Sequence, residues 1–465
     1  MSKHTCIEKR VPIEVENPSL LLVEDKCIKC GLCKRVCENY ITVQGYYDLE
    51  RTNDEAICIH CGQCITACPV NAIVAKKEYH KVKEAVADSN KVVVFSTAPA
   101  VRVALGDEFG IEDGSFVEGK MVSLLRTLGA NYVVDVNFGA DLTIMEEASE
   151  LIERVESGSK NLPQFTSCCP SWVEFAETFY PEILPQLSTA KSPIAMQGAT
   201  IKTYFAKKMG IDPAQIVHVT IAPCTAKKAE VRREEMNAAG RFHGNEEMRD
   251  TDYVLTTSEL AEWAKEETID FAAMEDSSFD SLMGEGSGAG LIFGNTGGVM
   301  EAALRTAHYL ITNEKAPAEF YELEPVRGMD EMKEATVKIG ELELNVAVIY
   351  GTGNVRKLLA QLEEGSKQYH FIEVMTCPGG CISGAGQPKH KKSKVEGVKQ
   401  ARNQGLYNVD RQMATRASYE NTEIKALYED FYGKPLSERS EELLHTFYVD
   451  RSEILGEDDE LEMTV

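Results

Sequence analysis

A chain of 465 residues can bury two or three sizeable cores, and its 43% hydrophobic and 26% charged residues are those of an ordinary globular protein. A formal net charge of −25 excludes a nucleic-acid binder, which needs a basic footprint, but leaves room for local basic patches. The N-terminus, MSKHTCIEKRVPIEVENPSL, has no apolar signal region, and no apolar run approaches the ~20 residues that span a bilayer; a cytoplasmic chain without membrane contact is expected.

In that compartment 14 cysteines point to metal ligands rather than to a disulfide framework. They fall in blocks. Cys6 has no assigned role. CIKCGLCKRVC (27–37) and CIHCGQCITACP (58–69) are two copies of C-x2-C-x2-C-x3-C, although Glu38 stands where the first copy would ordinarily end in proline. Thiolates at this spacing wrap a 4Fe–4S cubane, and the fourth cysteine of each run ligates the other run's cluster. The expected sets are Cys27, Cys30, Cys33 with Cys68, and Cys58, Cys61, Cys64 with Cys37. Structural zinc sites would need only C-x2-C pairs and leave the remaining thiols unexplained. Gly31 and Gly62 let the backbone pass close to the inorganic core. Lys26, Lys29, Lys34 and Arg35 surround the first run, either as a docking patch for an acidic electron carrier or as compensation for the cluster's own charge. This ferredoxin-like domain is expected to occupy residues 1–85 and to move electrons.

Beyond it, Val92–Phe95 reads as a buried strand and APAVRVALGDEF as a helix. TLGANYVVDV supplies a second strand and LTIMEEASELIERVES a second, amphipathic helix. IVHVTIA (216–222) and LNVAVIYG (344–351) repeat the strand texture, so the class is α/β with parallel sheets. Glu147 and Glu150 share a helix face, with Arg154 one turn further on. Apolar Leu142, Ile144, Leu151 and Ile152 bury part of that helix, where a carboxyl group would hold its proton more tightly. From the helix alone, however, the acidic pair reads as a solvated face. GEGSGAGLIFGNTGG lacks the phosphate-loop pattern and reads as backbone packed against a cofactor. HKKSK (390–394) reads as a solvated basic loop. From about residue 400 the chain turns helical and charged, and it closes with an acidic tail, EDDELEM.

Four further segments make sense together: FTSCCPSW, APCTAKKAE (222–230), FGNTGGVMEAALR (293–305) and EVMTCPGGCISGAGQP (373–388). With them the chain resembles the iron-only (FeFe) hydrogenases over essentially everything after residue 90, in a short modular form with the two-cluster domain in front. The resemblance implies an H-cluster catalytic domain over 86–400, with parallel-sheet lobes around the cofactor. A helical segment, 401–465, is similar to the family's small subunit. By position, Cys169, Cys224, Cys377 and Cys381 would ligate the 4Fe–4S half of the H-cluster. Cys381 would bridge to the diiron half, which carries carbon monoxide, cyanide and an azadithiolate. Lys227 would donate to one cyanide. The Ala98–Pro99 backbone would contact the other, Pro223 would adjoin the site, and Phe293 and Met375 would shield the diiron unit.

Cys168 then matches the family's proton-passing thiol, with Glu147, Ser188 and Glu150 continuing the route and Arg154 near its outlet. A buried structural cysteine or a vicinal disulfide is the plain alternative. Ala222, Ala385, Ile194, Ala100 and Ser171 depart from the usual family residues and suggest a divergent subgroup. The implied activity is reversible reduction of protons to hydrogen, with a ferredoxin or flavodoxin as electron carrier, maturation proteins as partners, and a monomeric state. Three other readings compete. A hydrogen sensor would add a signalling domain and lose the proton cysteine, an iron–sulfur assembly scaffold would lack diiron, and a plain electron-transfer protein would leave the later cysteines idle.

Overall fold

The computed structural model describes residues 9–456; Cys6 and the EDDELEM tail lie outside them. In the N-terminal module each cysteine run turns into a short helix, α1 (Leu32–Val36) or α2 (Gln63–Ala67). The residue before each is a glycine with positive φ, +77° at Gly31 and +68° at Gly62. Gly62 is doubly constrained. A Cβ there would stand 2.5 Å from both the Ala385 Cβ and the Thr225 Oγ1, so any side chain would push the module off the loops it abuts. Strands β1 (Leu20–Leu22) and β2 (Ile73–Ala75) pair antiparallel and close the module. Helix α3 (Tyr79–Ala87) leads out of it, and Tyr79 and Val82 pack in one core with Val93 and Phe95.

The larger part holds two four-stranded sheets. The first runs β4-β3-β6-β7, all parallel, from β3 (Val92–Thr97), β4 (Tyr132–Asp135), β6 (Ile216–Ala222) and β7 (Tyr253–Thr256). Every residue of β6 is buried, the pattern of a strand covered on both faces. The second sheet runs β5-β10-β9-β8, with β5 (Gln164–Phe165), β10 (Phe371–Met375) and β9 (Leu342–Tyr350) parallel. At its edge, β8 (Met332–Ile339) is antiparallel to β9.

APAVRVALGDEF departs from the expected helix: it forms two 3-10 turns, Pro99–Val103 and Leu105–Phe109. The Arg102 carbonyl accepts from the Val117 N–H, and a continuing α-helix would need that carbonyl for residue 106. The Arg102 guanidinium is fully buried against Asp135, 2.5 Å away, and Glu118. Tertiary demand on one arginine has overridden local helix propensity.

Helix α4 (Val136–Glu156) begins on Asp135, whose side chain accepts from the Asn137 N–H, and runs between the lobes. Its Ala140, Ile144 and Leu151 join one core cluster while Phe138 and Leu142 join another. Helix α5 (Gly298–Thr312) lies against it, and α6 (Val395–Gln412) follows the second sheet. The C-terminal segment is anchored by buried charge. Arg305 of α5 contacts Glu301 at 2.5 Å and Asp410 of α6 at 3.0 Å, all three inaccessible to solvent, and Arg327 and Arg416 close the network. Removing one partner from such a network leaves the others desolvated and uncompensated. Arg305→Met is therefore expected to cost about 3–5 kcal/mol, read as a lower unfolding midpoint of the anaerobic protein; an unchanged midpoint would contradict the anchor.

Candidate active site and cluster sites

Two cavities in the N-terminal module are each lined by four thiols. One is bounded by Cys27, Cys30, Cys33 and Cys68, the other by Cys37, Cys58, Cys61 and Cys64. The fourth cysteine of each run thus faces the other run's cavity, as the spacing predicts. Burial pushes the thiols of Cys61 and Cys64 well above their ordinary value and that of Cys37 up to about 12, and neighbouring cysteines push the same way. Thiols so reluctant to ionise alone are suited to a cation that deprotonates them outright. Cys30 is exposed, so the first cavity reaches the surface.

Four loops converge from the carboxyl ends of parallel strands, where open α/β sheets place their ligands. Cys168 and Cys169 follow β5, Pro223 and Cys224 follow β6, Cys377 and Cys381 follow β10, and Ala98 and Pro99 follow β3. Burial and repulsion from neighbouring thiols raise Cys224 to about 11, Cys381 to about 12 and Cys377 well above its ordinary value. Four facing sulfurs in a dry site fit the thiolate set of a cubane. Gly380, at φ +103°, makes the turn between the last two ligands, and a Cβ there would lie 2.6 Å from the Thr296 nitrogen.

Around these sulfurs, Lys227 donates to the Cys168 carbonyl at 3.0 Å and pairs with Glu230 at 2.7 Å. Burial alone would lower its pKa, but the Glu230 carboxylate outweighs burial and keeps the ammonium charged. Two of its three N–H groups are used, leaving one for a ligand. Phe293 and Met375 belong to one core cluster, against which Cys168 packs. The Ala98 N–H is taken by the Ile221 carbonyl and Pro99 has none, so the donor this turn leaves unpaired among the described residues is the Ala100 N–H. All thirteen described cysteines are free, Cys168 and Cys169 included.

Glu147 is close enough to Cys168 to repel its thiolate, Glu150 repels Glu147 in turn, and Ser188 and Arg154 both contact Glu150. Glu147 is 1% exposed, and neither of its carboxyl oxygens has a hydrogen-bond partner. Burial first, then repulsion from Glu150, raises its pKa to about 8. Burial and the Glu147 charge likewise raise the Cys168 thiol. The Ser188 hydroxyl donates to Glu150 at 2.7 Å, and Arg154 holds the other oxygen of Glu150 at 2.6 Å. The helix face that reads as solvated in isolation is buried at both carboxylates.

Sequence reasoning missed Gln63. Its Nε2 donates to the Cys377 Sγ at 3.3 Å, and the Thr66 hydroxyl lies 3.3 Å from its Oε1. It is a spacer in the second cysteine run, and spacers carry no signal of contacts made far along the chain. Two departures also find a common place: Ala222 and Ile194 share one small apolar cluster with Val136, Val231 and Val254. A third, Ala385, occupies the space that Gly62 leaves open.

Residues 91–385 match the model of the iron-only hydrogenase large subunit, C-terminal domain. Residues 396–451 match the iron hydrogenase small subunit, and 26–72 match a 4Fe-4S dicluster domain. The NADP-reducing hydrogenase subunit HndD of Solidesulfovibrio fructosivorans is 45% identical over 453 residues, 94% of this chain and 75% of that protein. Iron hydrogenase 1 of Clostridium pasteurianum is 43% identical over 456 residues, 95% of this chain and 78% of that one. The structure of the [FeFe]-hydrogenase HydA1 from Chlamydomonas reinhardtii covers 80% of this chain and 98% of its own at a TM-score of 0.70 and 38% identity. Dicluster module, four-thiol site, small-subunit-like C-terminus and these similarities agree: the chain belongs to the iron-only hydrogenase family, with two 4Fe–4S clusters ahead of an H-cluster domain.

Proposed function

We propose that this hydrogenase draws on a ferredoxin or flavodoxin, in the cytoplasm and as a monomer, with its diiron unit installed by maturation proteins. The domain limits we assign are 1–85, 86–400 and 401–465. Docking would occur over exposed Cys30, beside the exposed cations Lys26, Lys29 and Arg35, with Lys34 next to them paired to Glu38. No described helix is long and apolar enough to cross a membrane.

The observation that carries the catalytic reading is Glu147, a buried carboxyl group without a hydrogen-bond partner, between Cys168 and the Ser188–Glu150–Arg154 chain. The H-cluster supplies the metal at which hydrogen is made or split. The chain does the rest. Cys169, Cys224, Cys377 and Cys381 hold the cubane and Lys227 directs its remaining N–H toward a bound anion. The Ala98–Pro99 turn, Pro223, Phe293 and Met375 wall the site from water. Cys168 exchanges protons with Glu147, which passes them through Ser188 to Glu150. A thiol that donates to an adjacent base and recovers is general acid–base chemistry. A sensor or scaffold gains nothing from a buried carboxyl relay of this kind.

Cys168→Ala is expected to abolish nearly all hydrogen evolution from reduced viologen in anaerobic, cofactor-loaded protein, against parent turnover on the order of 1–1000 per second; parent-like turnover in the variant would sink the relay. Glu147 also leaves a signature in stability. Because its native pKa is raised, the folded state holds a proton that the unfolded state releases, so the stability Glu147 contributes falls between about pH 5 and pH 8 by ~1.4 kcal/mol per pH unit. Glu147→Gln should flatten that slope, and identical slopes in parent and variant would show that Glu147 ionises normally. Gln63 is the link from the dicluster module to the cubane: its N–H stabilises the more negative, reduced state. Gln63→Leu should lower the cubane's midpoint in an EPR-monitored redox titration by up to ~59 mV, tenfold for one electron; an unmoved midpoint would rule out tuning by Gln63.

A further inference from the structure

The loop that follows the last H-cluster ligand, Cys381, runs back to the dicluster module. Its backbone is tied on both sides of one exposed lysine. Before it, the Gly386 N–H donates to the Pro223 carbonyl at 2.8 Å, the Gln387 Nε2 donates to the Ala100 carbonyl at 2.9 Å, and the Pro388 carbonyl accepts from Arg402 at 3.4 Å. After it, His390 lies 3.0 Å from Asp107. Between these fixed points Lys389 reaches over the end of α2. Its Nζ donates to the carbonyls of Ile65, at 3.0 Å, and Cys68, and to the Asn71 Oδ1 at 3.1 Å. All three ammonium N–H groups are thereby used, each on an uncharged oxygen.

Three other cations lining the cleft here each carry a carboxylate: Lys77 pairs with Glu262, Lys399 with Glu396 at 3.7 Å and Arg402 with Asp107 at 2.6 Å. Lys389 has none among the described residues. Burial lowers its pKa, and the charge that acts against burial is that of the Cys68 sulfur. The influence is mutual. Burial would raise the Cys68 thiol, but the Val70, Ile73 and Ala72 N–H groups and the Lys389 charge lower it. In the second set, the charges acting on Cys37, Cys61 and Cys64 are other cysteines and Glu38, and Cys58 faces His60 rather than a lysine or arginine.

We propose that Lys389 raises the reduction potential of the outer cluster, the one bounded by Cys27, Cys30, Cys33 and Cys68, so that a loop of the H-cluster domain tunes its own electron supply. That cluster is the outer one because Cys30 is exposed. Its reduction adds one electron, from a reduced one-electron carrier, and moves no proton. The added negative charge falls beside an ammonium already in place, which stabilises the reduced state more than the oxidised one. Lys389 keeps its proton throughout and acts as a fixed charge. The contact mirrors that of Gln63 with Cys377. Each part of the chain places one donor on a ligand residue of the other.

A plain hydrogen-bonded tie between the loop and α2 is the competing account, and the experiment separates charge from tie. Lys389→Met, Lys389→Gln and Lys389→Arg are prepared as full-length, cofactor-loaded protein. Each is taken through an EPR-monitored redox titration at low and high salt, and its unfolding midpoint is measured. Cys30→Ser, which alters or removes one wave of the module, identifies the wave of the outer cluster. Expected is a lower outer-cluster midpoint in Lys389→Met and Lys389→Gln alike, by about threefold to tenfold in the one-electron equilibrium constant, or ~28–59 mV. Lys389→Arg stays near the parent, the second cluster and the H-cluster cubane move less, and the gap narrows at high salt as a screened charge requires. An unmoved outer midpoint in both Lys389→Met and Lys389→Gln would overturn the proposal. A parent-like midpoint in Lys389→Gln beside a fall in Lys389→Met, or a fall in Lys389→Arg equal to that in Lys389→Gln, would overturn it in favour of the tie. A gap indifferent to salt, or an equal shift of every wave together with a lower unfolding midpoint, would do the same.

Discussion

Exclusion of water from four facing thiols is the constraint on which the other features depend. Burial is the leading cause of the raised pKa at Cys168, Cys224, Cys377 and Cys381. A dry site strengthens every charge interaction within it, which favours holding an anionic cofactor by one lysine and a few backbone groups. It also denies the reaction its usual source of protons and the free approach of an electron donor. Both must then be carried in by the chain, over short and fully specified contacts.

Helix α4 meets most of that demand. Its position between the lobes exposes each of its faces to a different partner. Asp141 receives Ser287, Ser418 and Asn421, joining the helix to the C-terminal segment. Glu146 is saturated by Tyr428, Leu436 and His445, whereas the carboxyl oxygens of adjacent Glu147 have no hydrogen-bond partner. Neighbours in a helix point about 100° apart, so one residue of register separates a fully paired carboxylate from an unpaired one. Glu150, one turn beyond Glu146 and Glu147, accepts from the hydroxyls of both Ser188 and Thr189.

What could be read from the sequence is what depends on local spacing. The two cysteine runs fix their ligand sets because four sulfurs on a short loop have few ways to surround a cubane, and buried strands such as IVHVTIA announce themselves by unbroken apolarity. The resemblance implied the roles of Cys168 and of Glu147, whose helix face reads as solvated in isolation. Contacts made across the chain stayed hidden. Gln63 meets Cys377 across 314 residues and Thr189 meets His445 across 256, and no periodicity encodes such pairs. The helix expected in APAVRVALGDEF failed for the same reason, since the Arg102 carbonyl is claimed by Val117 and its side chain by Asp135. Ala222 and Ile194 look like two unrelated departures until the fold puts them in one cluster, where they read as one coupled change in packing.

The two ends of the chain approach the site from different sides and bring different chemistry. From the N-terminal module, α2 lays Gln63 against a ligand sulfur, and Gly62 lacks a side chain because the loops bearing Thr225 and Ala385 leave no room for one. From the C-terminus, a segment pinned by Arg305 and Asp410 lays His445 against Thr189. Hydrogen-bond chains tolerate little displacement, since a donor moved beyond about 3.5 Å no longer transfers well. That geometry gives a reason for an anchor built from buried ion pairs, whose directional contacts fix position more tightly than apolar packing of equal area. Through His445 the segment, homologous to a small subunit, braces Thr189 and Glu146 rather than only covering them. Fusion of that segment to the large domain holds His445 on these partners without relying on the equilibrium between separate chains.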